Sequence, residues 1–345
     1  MTRTETPKEI RVAILGFGGI ARLHYTAYCH LQKEGLPLRV AAVCTKDVRA
    51  VYAPIRINFD ADTEALDPSI PVFSDMEEML AGADFDLVDI CLPTFLHANS
   101  VIRMLRAGKH VLCEKPMALS AADCEEMLAA AREADRRLMI AHSSRFDTAY
   151  LFLRDEIRKN ALGALHHLRM ERLSEFPSWS PDFARLDKTG GCLLDMQIHD
   201  LDLALFLFGE PLRAAANIYG DVTHTQLVDT RLFYEGLTVS VRGMWDESRT
   251  EPFFKGYAAY FERGSISCDG RTVRIRPHEG EVSEVTLTPD FNIREEIRAF
   301  CQTILTGSPA EGFIPPESSA ENVRLVELLR KSAEMDGIPL PLKGE

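Results

Sequence analysis

The feature that most constrains this chain is the alternation of short apolar runs with helical patterns across residues 11–140. The runs 11-RVAIL-15, 39-RVAAVC-44, 86-DLVDICL-92, 110-HVLC-113 and 138-LMIA-141 are bounded and rich in Val, Ile and Leu. Helical periodicity fills the gaps near 21–34, 74–81, 96–107 and 120–136. Short strands without a polar face, spaced by amphipathic helices, predict a parallel sheet covered on both sides. Residues 45–73 are less regular and predict a long loop around a short helix.

With 345 residues, the chain has material for about two domains. The pattern changes after residue 143. A helix at 147–160 and a strand at 164–173 precede a polar, aromatic loop over 174–189, and one continuous helix is expected from Gly191 to Phe208. From 212 onward, alternating runs at 226–235, 237–245, 264–270, 272–276 and 282–287 predict antiparallel strands, with turns at Glu235-Gly236 and Asp269-Gly270. Helices at 290–305 and 317–335 follow. The expected fold is α/β: a doubly wound parallel-sheet domain over 1–143, then a second domain over 144–345. The second domain is built on a large, mostly antiparallel open sheet, and its closing helix 317–335 is free to pack back toward the first domain.

Charge narrows the partners. A formal net charge of -13 disfavours polyanions, so neither nucleic acid nor membrane is expected as a partner. The eight cysteines form no C-x-x-C pair and the polar N-terminus shows no apolar signal core, which together predict reduced thiols and a cytoplasmic protein.

The first strand runs into 14-ILGFGGIA-21, a G-x-G-x-x-A turn. Gly16 permits the tight turn, Gly18 lets a pyrophosphate approach the backbone, and Ala21 allows close helix packing; Phe17, Gly19 and Ile20 complete the loop. At the end of the second strand stand Thr45, Lys46 and Asp47, with Arg49 close behind. The corner position is not acidic, so the cofactor is expected to be NADP or NAD, with NADP modestly preferred; in the competing reading Asp47 still serves NAD. His24 either faces the nicotinamide region or sits in the core. Leu92, Pro93, Thr94 and His97 follow the fourth strand, at the sheet end where such folds bind ligands.

The fifth strand ends in 113-CEKP-116, where Glu114 binds cofactor or holds Lys115, and Lys115 either polarises an oxygen or belongs to an ion pair. In 190-GGCLLDMQIHDLDLALFLFG-209, helical spacing puts Asp195, His199 and Asp202 on one face. His199 can exchange a proton near neutral pH, Asp195 can orient it or the substrate, and Asp202 can anchor the helix. No third ligand at matching spacing accompanies Asp195 and His199, so no metal is expected.

Through 16-GFGGIA-21 with His24, 93-PTFLH-97, 107-AGKHVLCEKP-116 and 190-GGCLLDMQIHDLD-202, the chain resembles the glucose-fructose oxidoreductase, inositol dehydrogenase and rhizopine catabolism (Gfo/Idh/MocA) family. The resemblance implies a Rossmann dinucleotide-binding domain over 1–143 joined to a substrate-binding and oligomerisation domain over 144–345, an α/β domain whose sheet forms a homodimer or a dimer-based tetramer. It assigns the alcohol or carbonyl site to Lys115, Asp195 and His199. Cys192 and Gln197 depart from the small residues usual there, which implies a changed pocket shape.

The expected activity is NAD(P)-dependent hydride transfer between nicotinamide and a secondary alcohol or ketone of a sugar, cyclitol or related polyol. Trp179 is expected to stack on a sugar ring, with Arg185, Asp187 or Lys188 binding hydroxyls. Two alternatives stand beside it: redox-assisted glycoside hydrolysis with retained NAD, and a non-catalytic dinucleotide-sensing regulator.

Overall fold

The computed structural model describes residues 8–52, 63–178, 180–246, 248, 253–288 and 292–342. The chain separates into two compact units, Met1–His142 with Asn292–Ala320, and Ser143–Phe291 with Glu321–Glu345.

In the first unit β1 (Ile10–Leu15), α1 (Gly19–Lys33), β2 (Leu38–Cys44), β3 (Val72–Phe73), α2 (Met76–Gly82), β4 (Leu87–Ile90), α3 (His97–Arg106), β5 (His110–Glu114), α4 (Ala121–Ala134) and β6 (Leu138–Ala141) alternate along the chain. Val12, Ile14, Val88, Ile90, Val111, Leu112 and Ile140 are buried, as strands covered on both faces require. Parallel pairing gives the order β3-β2-β1-β4-β5-β6. The order reverses at β1 and β4, and the crevice beyond their carboxyl ends is where doubly wound sheets bind ligands. Side chains fix where the helices begin: Asp75 accepts the amides of Glu77 and Glu78 ahead of α2, and the Ser120 hydroxyl accepts that of Asp123 ahead of α4.

The second unit begins with α5 (Thr148–Lys159), β7 (Leu165–Glu175), α6 (Leu186–Thr189), α7 (Gly191–Asp195) and α8 (Ile198–Phe208). It continues through β8 (Arg213–Gly220), β9 (Gln226–Tyr234), β10 (Leu237–Asp246), β11 (Phe254–Phe261), β12 (Gly264–Cys268), β13 (Thr272–Pro277) and β14 (Ser283–Thr286). After α9 (Ile293–Thr306) and α10 (Pro316–Glu334), β15 (Leu340–Pro341) joins its sheet. The nine strands are ordered β14-β13-β12-β11-β7-β10-β9-β8-β15. Only β7 and β10, in mid-sheet, run parallel; the other neighbours are antiparallel. Glu235-Gly236 closes the β9–β10 hairpin as expected, with Gly236 at φ +70°.

Three expectations need correction. The segment Asn292–Ala320 was expected in the second domain and instead belongs to the first unit. There α9 packs on α1 with Ile297, Phe300, Cys301 and Ile304 buried, while Arg294 and Arg298 both reach Glu34. An amphipathic stripe shows that a helix faces a core but not which core. The continuous helix 191–208 is broken at Met196 and Gln197. Finally, β3, β8, β11 and β15 were not foreseen as strands.

Because α8 is apolar around most of its circumference, its acidic residues need partners. Asp200 accepts two hydrogen bonds from Arg172 on β7, at 2.8 and 3.0 Å, and a third from the Tyr150 hydroxyl at 3.3 Å. Asp202 accepts two from Arg145, at 2.8 and 2.6 Å, and one from the Asn322 amide at 2.7 Å. Breaking a buried pair from one side leaves an uncompensated charge, which costs roughly 3–5 kcal/mol. Arg172→Met should therefore lower the unfolding free energy by about that amount, and Arg172→Met with Asp200→Leu should recover much of it. Urea unfolding of both variants is the measurement; a double variant no more stable than the single one would contradict the pairing.

Candidate functional site

The glycine turn lies between β1 and α1 and its glycines serve different ends. Gly16 has φ +89°, and a Cβ there would fall 2.5 Å from the Cys91 carbonyl oxygen, so the fold itself demands glycine. A Cβ on Gly18 would meet no protein atom within 4 Å. Gly18 caps the N-terminus of α1, whose first turn holds no acidic residue. Open space, the helix-start amides and the positive end of a helix dipole form a cradle that fits a dinucleotide pyrophosphate.

Beneath this turn is a buried charge cluster. Asp89 lies within β4, where each residue is buried, and a lone carboxylate there would be costly. His24 from α1 answers it, with Nδ1 2.8 Å from Asp89 Oδ2 and Nε2 3.0 Å from Glu114 Oε1. Glu114 also accepts the Lys115 backbone amide at 3.1 Å. Burial opposes charge on His24, yet Asp89 holds its pKa well above the ordinary value. Burial likewise opposes charge on Glu114, but the hydrogen bond from His24 and the nearby Lys115 lower its pKa. The cluster is therefore an imidazolium between two carboxylates, and His24 belongs to the core rather than facing a nicotinamide.

The potential ligand atoms of His24, Asp89 and Cys91 lie within 4.8 Å of one another. As it stands the group is an ion-pair network, since both His24 nitrogens are engaged and burial pushes the Cys91 thiol up.

Lys115 is partly exposed, in contrast to the buried residues Val111–Glu114 and Pro116–Ala118 on either side. Thr94 and His97, expected to contact cofactor, are both buried. The His97 nitrogens lie 2.8 Å from the Pro116 carbonyl and 2.7 Å from that of Leu92, so the ring braces the segments after β4 and β5. Burial lowers its pKa, and the neutral ring donates to one carbonyl at a time. After β2, Lys46 and Arg49 are exposed, while Asp47 Oδ1 accepts the Arg49 amide within a local turn. A cleft lined by Arg132, Arg136, Arg137 and Phe313 opens at the amino end of β6, away from the ligand-binding end of the sheet.

In the second unit, Gly191–Ala204 is buried except at two positions, Asp195 and His199. Ser144 Oγ lies 3.4 Å from His199 Nδ1. The break between α7 and α8 means these residues are not a simple i,i+4 pair on one helix, as the spacing had implied. Arg185 forms an exposed ion pair with Asp187, while Trp179 lies outside the described residues. Sequence reasoning missed Asp89 and Ser144; Asp89 was legible as an acid within an apolar strand.

A doubly wound unit with an open glycine cradle, joined in one chain to a broken helical segment that carries Asp195 and His199 on either side of the break beside a mostly antiparallel sheet, defines a dinucleotide-dependent oxidoreductase. Residues 10–142 match the oxidoreductase family with an NAD-binding Rossmann fold, and residues 150–267 match the GFO/IDH/MocA C-terminal domain. The chain belongs to the Gfo/Idh/MocA family. It is 28% identical to a myo-inositol 2-dehydrogenase of Thermotoga maritima, over 76% of this chain and 80% of that one. It is 29% identical to a 1,5-anhydro-D-fructose reductase of Ensifer adhaerens, over 72% and 76%. An Agrobacterium radiobacter oxidoreductase, solved with NAD+, L-tartaric acid and magnesium, shares the fold with a TM-score of 0.79 at 20% identity, covering 97% of this chain and 99% of that one.

The buried cluster yields a pH dependence. With its native pKa raised, His24 stabilises the fold fully below its ordinary value of 6.5, and this contribution is lost as pH rises through the raised pKa. With its native pKa lowered, Glu114 stabilises above its ordinary 4.5, and this is lost as pH falls through the lowered pKa. Both contributions are complete only between those ordinary values. His24→Gln should cost about 3–5 kcal/mol at pH 6 and abolish the alkaline loss of stability that the unaltered chain shows. Unfolding free energies measured from pH 4 to 9 check this; the same alkaline limb in both proteins would refute it.

Proposed function

We propose that this chain interconverts a secondary alcohol and a ketone on a sugar, cyclitol or related polyol, using NAD or NADP. The observation that carries this reading is the pattern of exposure: within otherwise buried segments, Lys115, Asp195 and His199 retain partial exposure. The named activities of the myo-inositol and anhydrofructose relatives support the polyol class.

Gly18 and the amides opening α1 would hold the pyrophosphate, and Thr45, Lys46 and Arg49 the adenosine ribose side. The exposed cations, together with the engagement of Asp47 in its own turn, favour a modest NADP preference. The nicotinamide, when bound, supplies the hydride acceptor or donor. Lys115 Nζ donates to the substrate oxygen and stabilises it as carbonyl character changes. His199 takes the hydroxyl proton on an imidazole nitrogen during oxidation and returns it during reduction. Asp195 orients the ring or an adjacent hydroxyl.

A panel of sugars, inositols and their keto forms with NAD(H) and NADP(H), followed by nicotinamide absorbance, tests the reading. Turnover with net cofactor consumption is expected, which separates it from redox-assisted hydrolysis; no turnover with any pair would favour a sensing role. Lys115→Ala and His199→Ala should each lose roughly 10²- to 10⁴-fold in single-turnover hydride transfer while retaining dinucleotide affinity. Near-normal rates in both would overturn these assignments.

We further infer a homodimer or dimer-based tetramer in a reducing cytoplasm. Tyr260, Arg169, Arg231 and Arg242 on the nine-stranded sheet are exposed, and His167 stacks on Tyr260 at 6.0 Å between ring centroids. Such a wide sheet is commonly covered by a symmetric copy. Light scattering at micromolar concentration should give at least twice 38.7 kDa, and a monomer would refute the inference.

A further inference from the structure

Asp195 and His199 flank a break whose geometry the helix alone does not determine. The backbone amides of Met196 and Gln197 both donate to the Cys192 carbonyl, at 3.1 and 2.9 Å. The second bond spans five residues, a widened turn of the kind that accommodates an extra residue in a helix. His199 N–H then bonds three residues back, to Met196 at 3.4 Å. A wide turn followed by a tight one sets a different rotation between Asp195 and His199 from that of a regular helix.

The Gln197 side chain ties this break to the sheet. Wholly buried, it donates from Nε2 to the carbonyls of Val228 and Val241, each at 3.0 Å, and its Oε1 accepts the Thr230 hydroxyl at 2.6 Å. Val228 and Thr230 lie on β9 and Val241 on the adjacent β10. Space for the amide comes from Gly243, where a Cβ would stand 3.3 Å from Cys192 Sγ and 3.4 Å from Gln197 Cβ. The other end of α7 is held by the same strand, through the Cys192 amide to Gln226 Oε1 at 2.7 Å.

We propose that Gln197 is a positioning residue: by locking the widened turn onto β9 and β10, it sets the relative placement of Asp195 and His199. The inference rests on their proposed role in proton handling and deepens it. Two main-chain acceptors and one hydroxyl donor converge on a site that requires two donors and an acceptor in one planar group. Glutamine meets this requirement. Glutamate turns an oxygen toward two carbonyls, and methionine keeps the volume without the hydrogen bonds.

The experiment compares the full chain with Gln197→Met, Gln197→Glu and a control, Ser332→Ala, which removes a buried hydrogen bond to the Ala216 amide elsewhere in the second unit. Using the polyol and dinucleotide of highest turnover, at a temperature where each variant remains folded, both Gln197 variants should lose about 10- to 100-fold in kcat, with KM and dinucleotide Kd within about threefold. The pH profile of kcat should also change, whereas Ser332→Ala should alter only Tm. A kcat within twofold of the unaltered chain would overturn the proposal. Hydrogen exchange is read in parallel and needs no substrate: protection at residues 196–201 should fall about tenfold or more in both Gln197 variants and stay unchanged in Ser332→Ala. Unaltered protection there overturns the clamp even if no polyol in the panel is turned over, an outcome that would sink the proposed reaction separately.

Discussion

Two buried carboxylates on α8 govern what that helix can present. Asp200 and Asp202 are two positions apart, about 200° around a helix, so they leave it on different sides. Each must be neutralised where it emerges, by Arg172 from β7 in one case and by Arg145 with Asn322 in the other. An apolar helix on an apolar sheet can rotate or slide at modest cost, because dispersion and burial are largely non-directional. Two charge-assisted, bidentate contacts from separate elements remove that freedom. With the helix held in rotation and height, His199 alone between Met196 and Ala204 remains at the boundary of burial.

The first unit solves a similar problem by similar means. From Asp89 through His24 to Glu114, charge passes from β4 to α1 and on to β5, ending at the backbone amide of Lys115. The helix that opens at the glycine cradle is thereby tied to the strand that leads into Lys115. Replacing this network by apolar residues of similar volume would not obviously cost stability, since buried ion pairs often contribute little net energy. What it supplies is direction, because an imidazolium with a carboxylate at each nitrogen has one orientation. The His97 ring sits between the carbonyls of Leu92 and Pro116 and, when neutral, donates to one of them at a time.

Much of this architecture was legible because it rests on period. Most of the Rossmann strands and helices and the 235–236 turn are short-range signals that correspond to observed features, whereas the Asp-His segment is helical on both sides of a break that its period did not show. What escaped depended on distant partners. Strand β8 is mostly small residues, and β11 carries Gly256 and two alanines, so neither shows the bulky alternation of a half-buried strand. The return of α9 to the first unit depends on Glu34 and the α1 surface. Within the site, the contacts of His97 were hidden because its position at the strand ends was visible in the sequence while the carbonyls of Leu92 and Pro116 were not. The helix break was hidden for the same reason: nothing local to Gln197 announces Gly243 beneath it.

Net charge sets the remaining constraint on the cradle. A chain of formal charge -13 must bind an anionic cofactor against its own mean field, so attraction has to be local. The first turn of α1 contains no acid. It contains Arg22 instead, whose guanidinium carbon lies 5.7 Å from the centroid of the Phe17 ring. Burial lowers the Arg22 pKa, yet an arginine remains charged at neutral pH, so a cation is held beside the turn. Lys46 and Arg49 stand exposed after the second strand. Salt screens such contacts over about 8 Å at physiological ionic strength, a length that also limits how far the acidic surface can oppose them. A negatively charged protein can therefore keep a phosphate site, provided the few cations and helix-start amides lie closer to the ligand than its carboxylates do.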